Sequence, residues 1–284
     1  MVSIKRLGIQ DIEQAIKLSN AEKWNQTEKD WELLIQNSEN ICLAAFDGKK
    51  VIGTATAINY ADDVSWIGMV LVDKDYRGRK VSKFLLSNLF EQLDSCKLLK
   101  LDATPAGQPI YQNLGFKDEY LIHRITAISV LLKALPILDE SSLEHVSINN
   151  IPEIVEYDKR VFGANRKQLI EYLVNNYPDN AWMLRKRGEV VGIALGRKGN
   201  RFHQIGPVLA SSTEDAKKLI AKSLEGLEHQ AVVIDILDDK KELMSWLSSI
   251  GLVKQRYFVR MYKNENPFPG IPKNQFLICG PEFG

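Results

Sequence analysis

Apolar residues along the first 130 positions switch repeatedly between a period of two and a period near 3.6. "VSIKRL" (2–7) alternates and predicts a strand, and "DIEQAIKLSN" (11–20) and "KDWELLIQ" (29–36) carry helical spacing. In "NICLAAFDGKKVIGTATAI" (40–58) two apolar runs flank Asp47-Gly48, a hairpin signal. "SWIGMVLV" (65–72) is a further strand. The helix after it buries one face through Val81, Leu85, Leu86, Leu89, Phe90 and Leu93. A strand "KLLKLDA" (97–103), a short helix "GQPIYQNL" (107–114) and a final strand or hairpin "YLIHRITAISV" (120–130) follow. The series reads as a mixed α/β (α+β) fold, a mostly antiparallel sheet flanked by helices.

The same order recurs. "SWIGMVLV" resembles "HQIGPVLA" (203–210), with Gly68 and Gly206 separated by 206 − 68 = 138 residues. "GKKVIGTATA" (48–57) resembles "GEVVGIALG" (188–196), and "YQNLGF" (111–116) resembles "LSSIGL" (247–252) at an offset of 251 − 115 = 136. "HVSI" (145–148), "IPEIVEYDKRVF" (151–162) and "RKQLIEYLV" (166–174) repeat the first strand and two helices. Two copies of one fold are therefore expected, spanning 1–135 and 140–284 and joined near 131–141, where Pro136 and "DESS" interrupt the pattern.

Composition narrows the function classes. The formal net charge of +1 gives no broad nucleic-acid footprint. Cys42, Cys96 and Cys279 are far apart and odd in number, which argues against a disulfide framework or a zinc site and for a reducing compartment. His123, His145, His203 and His229 are scattered, so no metal is expected. "AISVLLKALPIL" (127–138) is too short to span a bilayer, and "MVSIKRLGIQ" lacks a signal-peptide core. These features predict a soluble cytoplasmic protein with no membrane or nucleic-acid partner; they leave the oligomeric state open.

Arg77-Gly78-Arg79-Lys80 joins strand 65–72 to the long helix. A helix N-terminus presents unpaired N–H groups and a partial positive charge. Gly78 lets the main chain bend and be approached, and three cations add charge. The residues alone admit two readings: an ordinary turn with solvated cations, or a phosphate or pyrophosphate site. No GK[ST] and no GxGxxG is present.

Strand, basic loop, helix, strand and a helix bearing Tyr-x-x-x-Gly-Phe (Tyr111, Gly115, Phe116) resemble the GNAT acyltransferase superfamily. "EKWNQTEKDW" (22–31), "YDKRVFGANR" (157–166) and "GPEFG" (280–284) resemble a bacterial subfamily of tandem GNAT proteins of the YitH type, so the likeness runs through nearly the whole chain. Against the family loop R-x-x-G-x-G/A, Lys80 replaces a usual glycine and Ser82 a glycine or alanine.

The resemblance implies acetyl-CoA as cosubstrate, its pantetheine along Val70, Leu71 and Val72 and its pyrophosphate at Arg77, Gly78, Arg79, Lys80, Val81, Ser82 and Lys83. It implies Tyr111 as the acid for the departing thiolate, where residues alone also allow a core aromatic. Trp24, Asn25 and Thr104 fall on the acceptor side, although Trp24 also reads as simple packing. The acceptor implied is a small-molecule amine or amino group. Glu28, Asp62, Asp63 and Asp102 are candidate bases, alongside a water relay. The alternatives are a non-catalytic acyl-CoA sensor and a scaffold of two degenerate domains.

Only the first half is expected to bind cofactor. In the second, Ser211-Ser212-Thr213-Glu214 replaces the basic loop with a capping-box pattern, and Leu247 replaces Tyr111. The second half, together with the Pro-rich tail 267–284, is expected to pack on the first half and help wall the acceptor pocket.

Overall fold

The computed structural model of the chain describes residues 2–61, 64–130, 135 and 142–284. Most of the predicted junction at 131–141, with Pro136, and the candidate bases Asp62 and Asp63 lie outside the described residues.

Two compact units emerge. The first runs to Leu101 and adds residues 199–201 and 263–265; the second holds Asp102–Lys198, Phe202–Tyr262 and Asn266–Gly284. The first unit contains β1 (Val2–Arg6), α1 (Ile12–Ala21), α2 (Glu28–Gln36), β2 (Ile41–Asp47), β3 (Lys50–Tyr60), β4 (Val64–Val72) and α3 (Val81–Gln92). β5 (Leu98–Ala103) enters its sheet. The order is β1-β2-β3-β4-β5, antiparallel as far as β4; β4 and β5 are parallel. The hairpin turns at Gly48, whose φ of +61° suits glycine. α3 buries Val81, Leu85, Leu86 and Leu89, as its spacing predicts.

The second unit contains α4 (Gln108–Asn113), β6 (Lys117–Ala127), β7 (Leu143–His145), α5 (Ile151–Phe162), α6 (Lys167–Asn176), β8 (Trp182–Lys186) and β9 (Glu189–Lys198). It continues with β10 (His203–Ala210), α7 (Thr213–Glu225), β11 (Val232–Leu237), α8 (Lys241–Ser249), β12 (Val253–Lys263) and β13 (Gln275–Leu277). β7 starts and ends two to three residues before the predicted "HVSI", because Ser147 opens a short 3-10 turn with Asn150. Its strands run β12-β6-β11-β13-β10-β9-β8-β7.

β6 comes from the first repeat yet lies between β11 and β12 of the second. Charge fixes this placement. Asp102 and Asp235 each follow the last residue of a parallel β-pair, Leu101 and Ile234. Arg124 and Arg260 are equivalent at an offset of 260 − 124 = 136. Each aspartate takes the arginine of the other repeat. Arg124 donates from Nε and Nη2 to Asp235 at 2.7 and 2.7 Å, and Arg260 donates likewise to Asp102 at 2.9 and 2.9 Å. Burial works against both guanidinium charges, but the aspartates more than offset it and hold both above the ordinary arginine value. Gln204 also donates to Asp235 at 3.2 Å, and Arg260 to the Tyr120 hydroxyl at 2.8 Å.

Removing one partner of such a pair leaves the other charge buried. Asp235→Ala should therefore lose about 3–5 kcal/mol in urea unfolding. Arg124→Met combined with Asp235→Leu should recover most of that loss, because no charge is then stranded.

Candidate functional site

β4 supplies an unusual edge. Thr54 lies opposite Leu71 and Thr56 opposite Gly68, so Met69 and Val70 together face one residue of β3. This is a β-bulge, with Met69 at φ +49°. The Thr54 hydroxyl donates to Met69 O at 2.7 Å and the Thr56 hydroxyl to Gly68 O at 3.1 Å, which holds the bulge in place. Parallel pairing with β5 covers only Val64–Ile67, so Gly68–Val72 run past its last paired residue. Asp73 N donates to Ile52 O at 2.9 Å. Peptide groups alternate between edges along such a strand. Leu71 therefore turns its main chain toward β3, whereas Val70 and Val72 turn theirs to the side that β5 has left.

The basic loop follows. Gly78 has φ +78°, with nothing within 4 Å of where a Cβ would stand. Lys80 is the N-cap of α3, in the left-handed region at φ 62°, ψ 16°, and its side chain makes no capping bond. Among the described residues, none of the main-chain N–H groups of 78–83 has a hydrogen-bond acceptor in the protein. Six consecutive donors are thus left unpaired at a helix N-terminus, an arrangement of the kind that holds anions.

The charges around it are partly engaged. Arg77 pairs with Glu22 at 2.6 Å. Arg79 lies 4.9 Å over the Tyr76 ring, and the Tyr76 hydroxyl donates to Asp47 at 2.9 Å. Lys50 pairs with Asp73 at 2.8 Å, and that hydrogen bond holds the Asp73 carboxyl below its usual value. Lys80 and Lys83 are exposed and, among the described residues, have no ion-pair partner. Of the expected acceptor-side residues, Trp24 is half-buried, and Asn25 is buried with its Oδ1 accepting from Arg201 N at 2.9 Å.

Tyr111 and Thr104 belong to the second unit. The hydroxyl and the carbonyl of Thr104 accept from Gly107 N at 3.2 and 2.9 Å and start the turn into α4. Tyr111 packs edge-on against Phe116 with ring centroids 5.8 Å apart, and Phe116 N donates to Tyr111 O at 3.0 Å. Desolvation pushes the Tyr111 phenol above its ordinary pKa, and a phenol holds its proton at neutral pH with or without that shift. Leu252 N donates to Leu247 O at 3.1 Å in the same turn of the second repeat, which confirms the correspondence of Tyr111 with the fully buried Leu247. Asp102 has both oxygens engaged by Arg260.

The second loop corrects one detail. The cap of α7 is Ser212 rather than Ser211, and its hydroxyl accepts from Asp215 N at 3.2 Å. Ser211 donates to Asp215 at 2.7 Å and Lys186 to the same carboxylate at 2.6 Å, while Glu214 pairs with Lys217. The bulge and the two threonines that hold it, Thr54 and Thr56, escaped sequence reading, although Pro207, inside the strand "HQIGPVLA", marks a bulge that the repeat transfers to Met69.

A bulged, splayed strand feeding an uncapped helix, repeated once with its second cradle closed, defines a tandem GNAT architecture. The chain belongs to that superfamily: the acetyltransferase (GNAT) family profile matches residues 9–116, and an acetyltransferase (GNAT) domain profile matches 154–277. It is an acyltransferase by class. A holothin acyltransferase from Pseudoalteromonas sp. is 21% identical over 87% of this chain and 83% of its own. The uncharacterized N-acetyltransferase YitH of Bacillus subtilis is 22% identical over 66% of each chain. A putative acetyltransferase from Pyrococcus horikoshii shares the fold at a TM-score of 0.83 and 21% identity, over 100% of this chain and 96% of that one. No helix among the described residues is long and apolar enough to cross a membrane.

The backbone at Lys80 is itself testable. A left-handed conformation costs an L-residue roughly 1–2 kcal/mol, and glycine returns about 0.4–1 kcal/mol of that through the unfolded chain. Lys80→Gly should therefore raise stability by roughly 0.5–1 kcal/mol in calorimetric melting, whereas Lys80→Ala, which keeps the Cβ, should give no gain.

Proposed function

We propose that the chain is an N-acyltransferase that moves an acetyl group from acetyl-CoA to the amino group of a small molecule in the cytoplasm. The observation that carries this reading is the row of unpaired N–H groups at 78–83 directly after a strand whose Val70 and Val72 face an open edge. The residues fit the cosubstrate: the pyrophosphate matches the cradle and Lys80, and the pantetheine amides match the free edge of β4. Backbone recognition explains why Lys80 and Ser82 can replace small family residues.

Acetyl-CoA supplies an activated acyl group. The chain supplies binding and position, and holding two reactants together accounts for much of the rate in such direct transfers. Main-chain N–H groups at the β4 edge polarise the thioester carbonyl. Tyr111, a phenol that is protonated at neutral pH, donates its proton to the departing sulfur. The amine must shed a proton in turn. Because Asp102 is held by Arg260, that role falls to Glu28, Asp62 or Asp63, or to a water relay. Trp24, Asn25 and Thr104 are assigned to the acceptor side. The relative named for holothin supports acyl transfer, but at 21% identity it does not transfer its acceptor to this chain.

Calorimetry should give one acetyl-CoA per chain, and a screen of CoA release against pooled amines should find turnover. Binding without turnover on any amine would point to a sensor instead. Lys80→Glu should weaken acetyl-CoA binding and flatten its salt dependence; unchanged affinity would remove Lys80 from the site. Tyr111→Phe should lower kcat about a hundredfold while leaving acetyl-CoA affinity intact, as loss of a general acid does. Equal turnover would return Tyr111 to packing.

A further inference from the structure

β10 and β11 repeat the geometry of β4 and β5. They pair in parallel over His203–Ile205 with Val232–Ile234, and β10 then bulges at Gly206-Pro207. Here the space beyond the parallel pairs is filled. β13 enters between the two strands, with Leu277 opposite Val208 of β10 and Ile236 of β11, and Gln275 opposite Leu209. Ile278 N donates to Asp235 O at 3.0 Å. Val208 is the counterpart of Val70 (70 + 138), so the tail meets the very edge that stays open in the first repeat. Gln275–Leu277 of the tail thus lie in the sheet of the second unit.

The segment is held by built contacts. Gln275 donates to Val161 O at 2.9 Å. Arg197 pairs with Glu282, both buried. Arg166 donates to Gly284 O at 2.7 Å while Asp158 grips its other nitrogens at 3.0 and 2.5 Å. Gly206 makes room: a Cβ there would lie 2.0 Å from Ile278 O. Phe276, Ile278 and Phe283 are buried.

We infer that residues 275–284 are a resident peptide ligand of the second repeat's cofactor groove. They bind by strand addition where the first repeat offers its edge to pantetheine, and they close that groove to acyl-CoA. The name given to the groove rests on the function proposed above; the binding of the tail does not.

The test keeps the whole chain. A protease site placed after the exposed Glu265 is cut in the folded protein, which is then examined by native mass spectrometry. The 266–284 fragment should stay bound, should resist displacement by saturating acetyl-CoA, and should leave stoichiometry at one acetyl-CoA per chain. Release of the fragment by acetyl-CoA, or a second acetyl-CoA bound with the fragment in place, would overturn the inference. Spontaneous loss of the fragment with unchanged melting would overturn it too. In uncut protein, Glu282→Gln weakens a charge-assisted bond and should speed amide exchange at 275–279 by about tenfold while leaving β4 unchanged. Unchanged exchange at 275–279 would count against the anchor. Failure of acetyl-CoA to bind at all, with the fragment retained, would instead strike the proposed function.

Discussion

Two buried aspartate–arginine pairs hold the architecture in register. A buried ion pair offsets its desolvation only when geometry is good and remaining polar atoms are satisfied. Here both pairs are bidentate, and Gln204 and Tyr120 take up further hydrogen-bonding capacity. Pairing Asp235 with Arg124 rather than with its own repeat's Arg260 selects the exchanged position of β6. A hydrophobic sheet position would accept either strand; a buried carboxylate accepts only a strand that brings a guanidinium to the right height. That choice also determines where the segment with Thr104 and Tyr111 lies, since it connects Asp102 to β6.

The two repeats solve one backbone problem in opposite ways. A bulged strand that parts from its parallel neighbour leaves peptide groups to be satisfied, and a helix start leaves N–H groups to be satisfied. The second repeat satisfies both internally, with β13 on the strand edge and Ser212 on the helix start. In the first repeat Thr54 and Thr56 satisfy only the bulge carbonyls on the β3 side, and the helix start at Lys80 has no capping side chain. The same fold thus holds a closed copy and an open one, and the difference lies in a few residues rather than in topology.

Much of this was legible in the sequence. Periodicity located the elements because each buries one face, and the repeat emerged because Gly68 and Gly206 sit at the same bulged turn of the strand. The contrast between the loops was readable because Ser and Asp bind nearby amides while Arg and Lys do not. What escaped was non-local. Nothing in "KLLKLDA" or "YLIHRITAISV" says that Asp102 will find Arg260 and Arg124 will find Asp235, since both candidates exist in each repeat. The tail's place between β10 and β11 was hidden for the same reason: the apolar run in "QFLICGPEFG" names no partner, and its partners lie more than sixty residues upstream for β10. The capping register slipped by one because Ser211 and Ser212 both precede an acidic residue by three.

The exposed loop at 78–80 and the helix start that follows it set the terms on which a ligand can bind. Water already satisfies those amides, so each new hydrogen bond contributes only about 0.5–1.5 kcal/mol net, and the helix dipole adds roughly 0.3–1 kcal/mol for a surface anion. No single contact there makes a tight site. A ligand gains by meeting several donors at once with charge already matched, which a diphosphate does and an isolated carboxylate does not. The engaged Arg77 and Arg79 lend field without leaving their partners, and Lys80 adds a mobile charge at the mouth. In the function proposed above, the strand edge at Val70 and Val72 would add neutral hydrogen bonds along a linear, amide-bearing chain. A site made that way would select by length and by the spacing between charge and amide, so an extended molecule with a diphosphate at one end would meet it better than any compact anion.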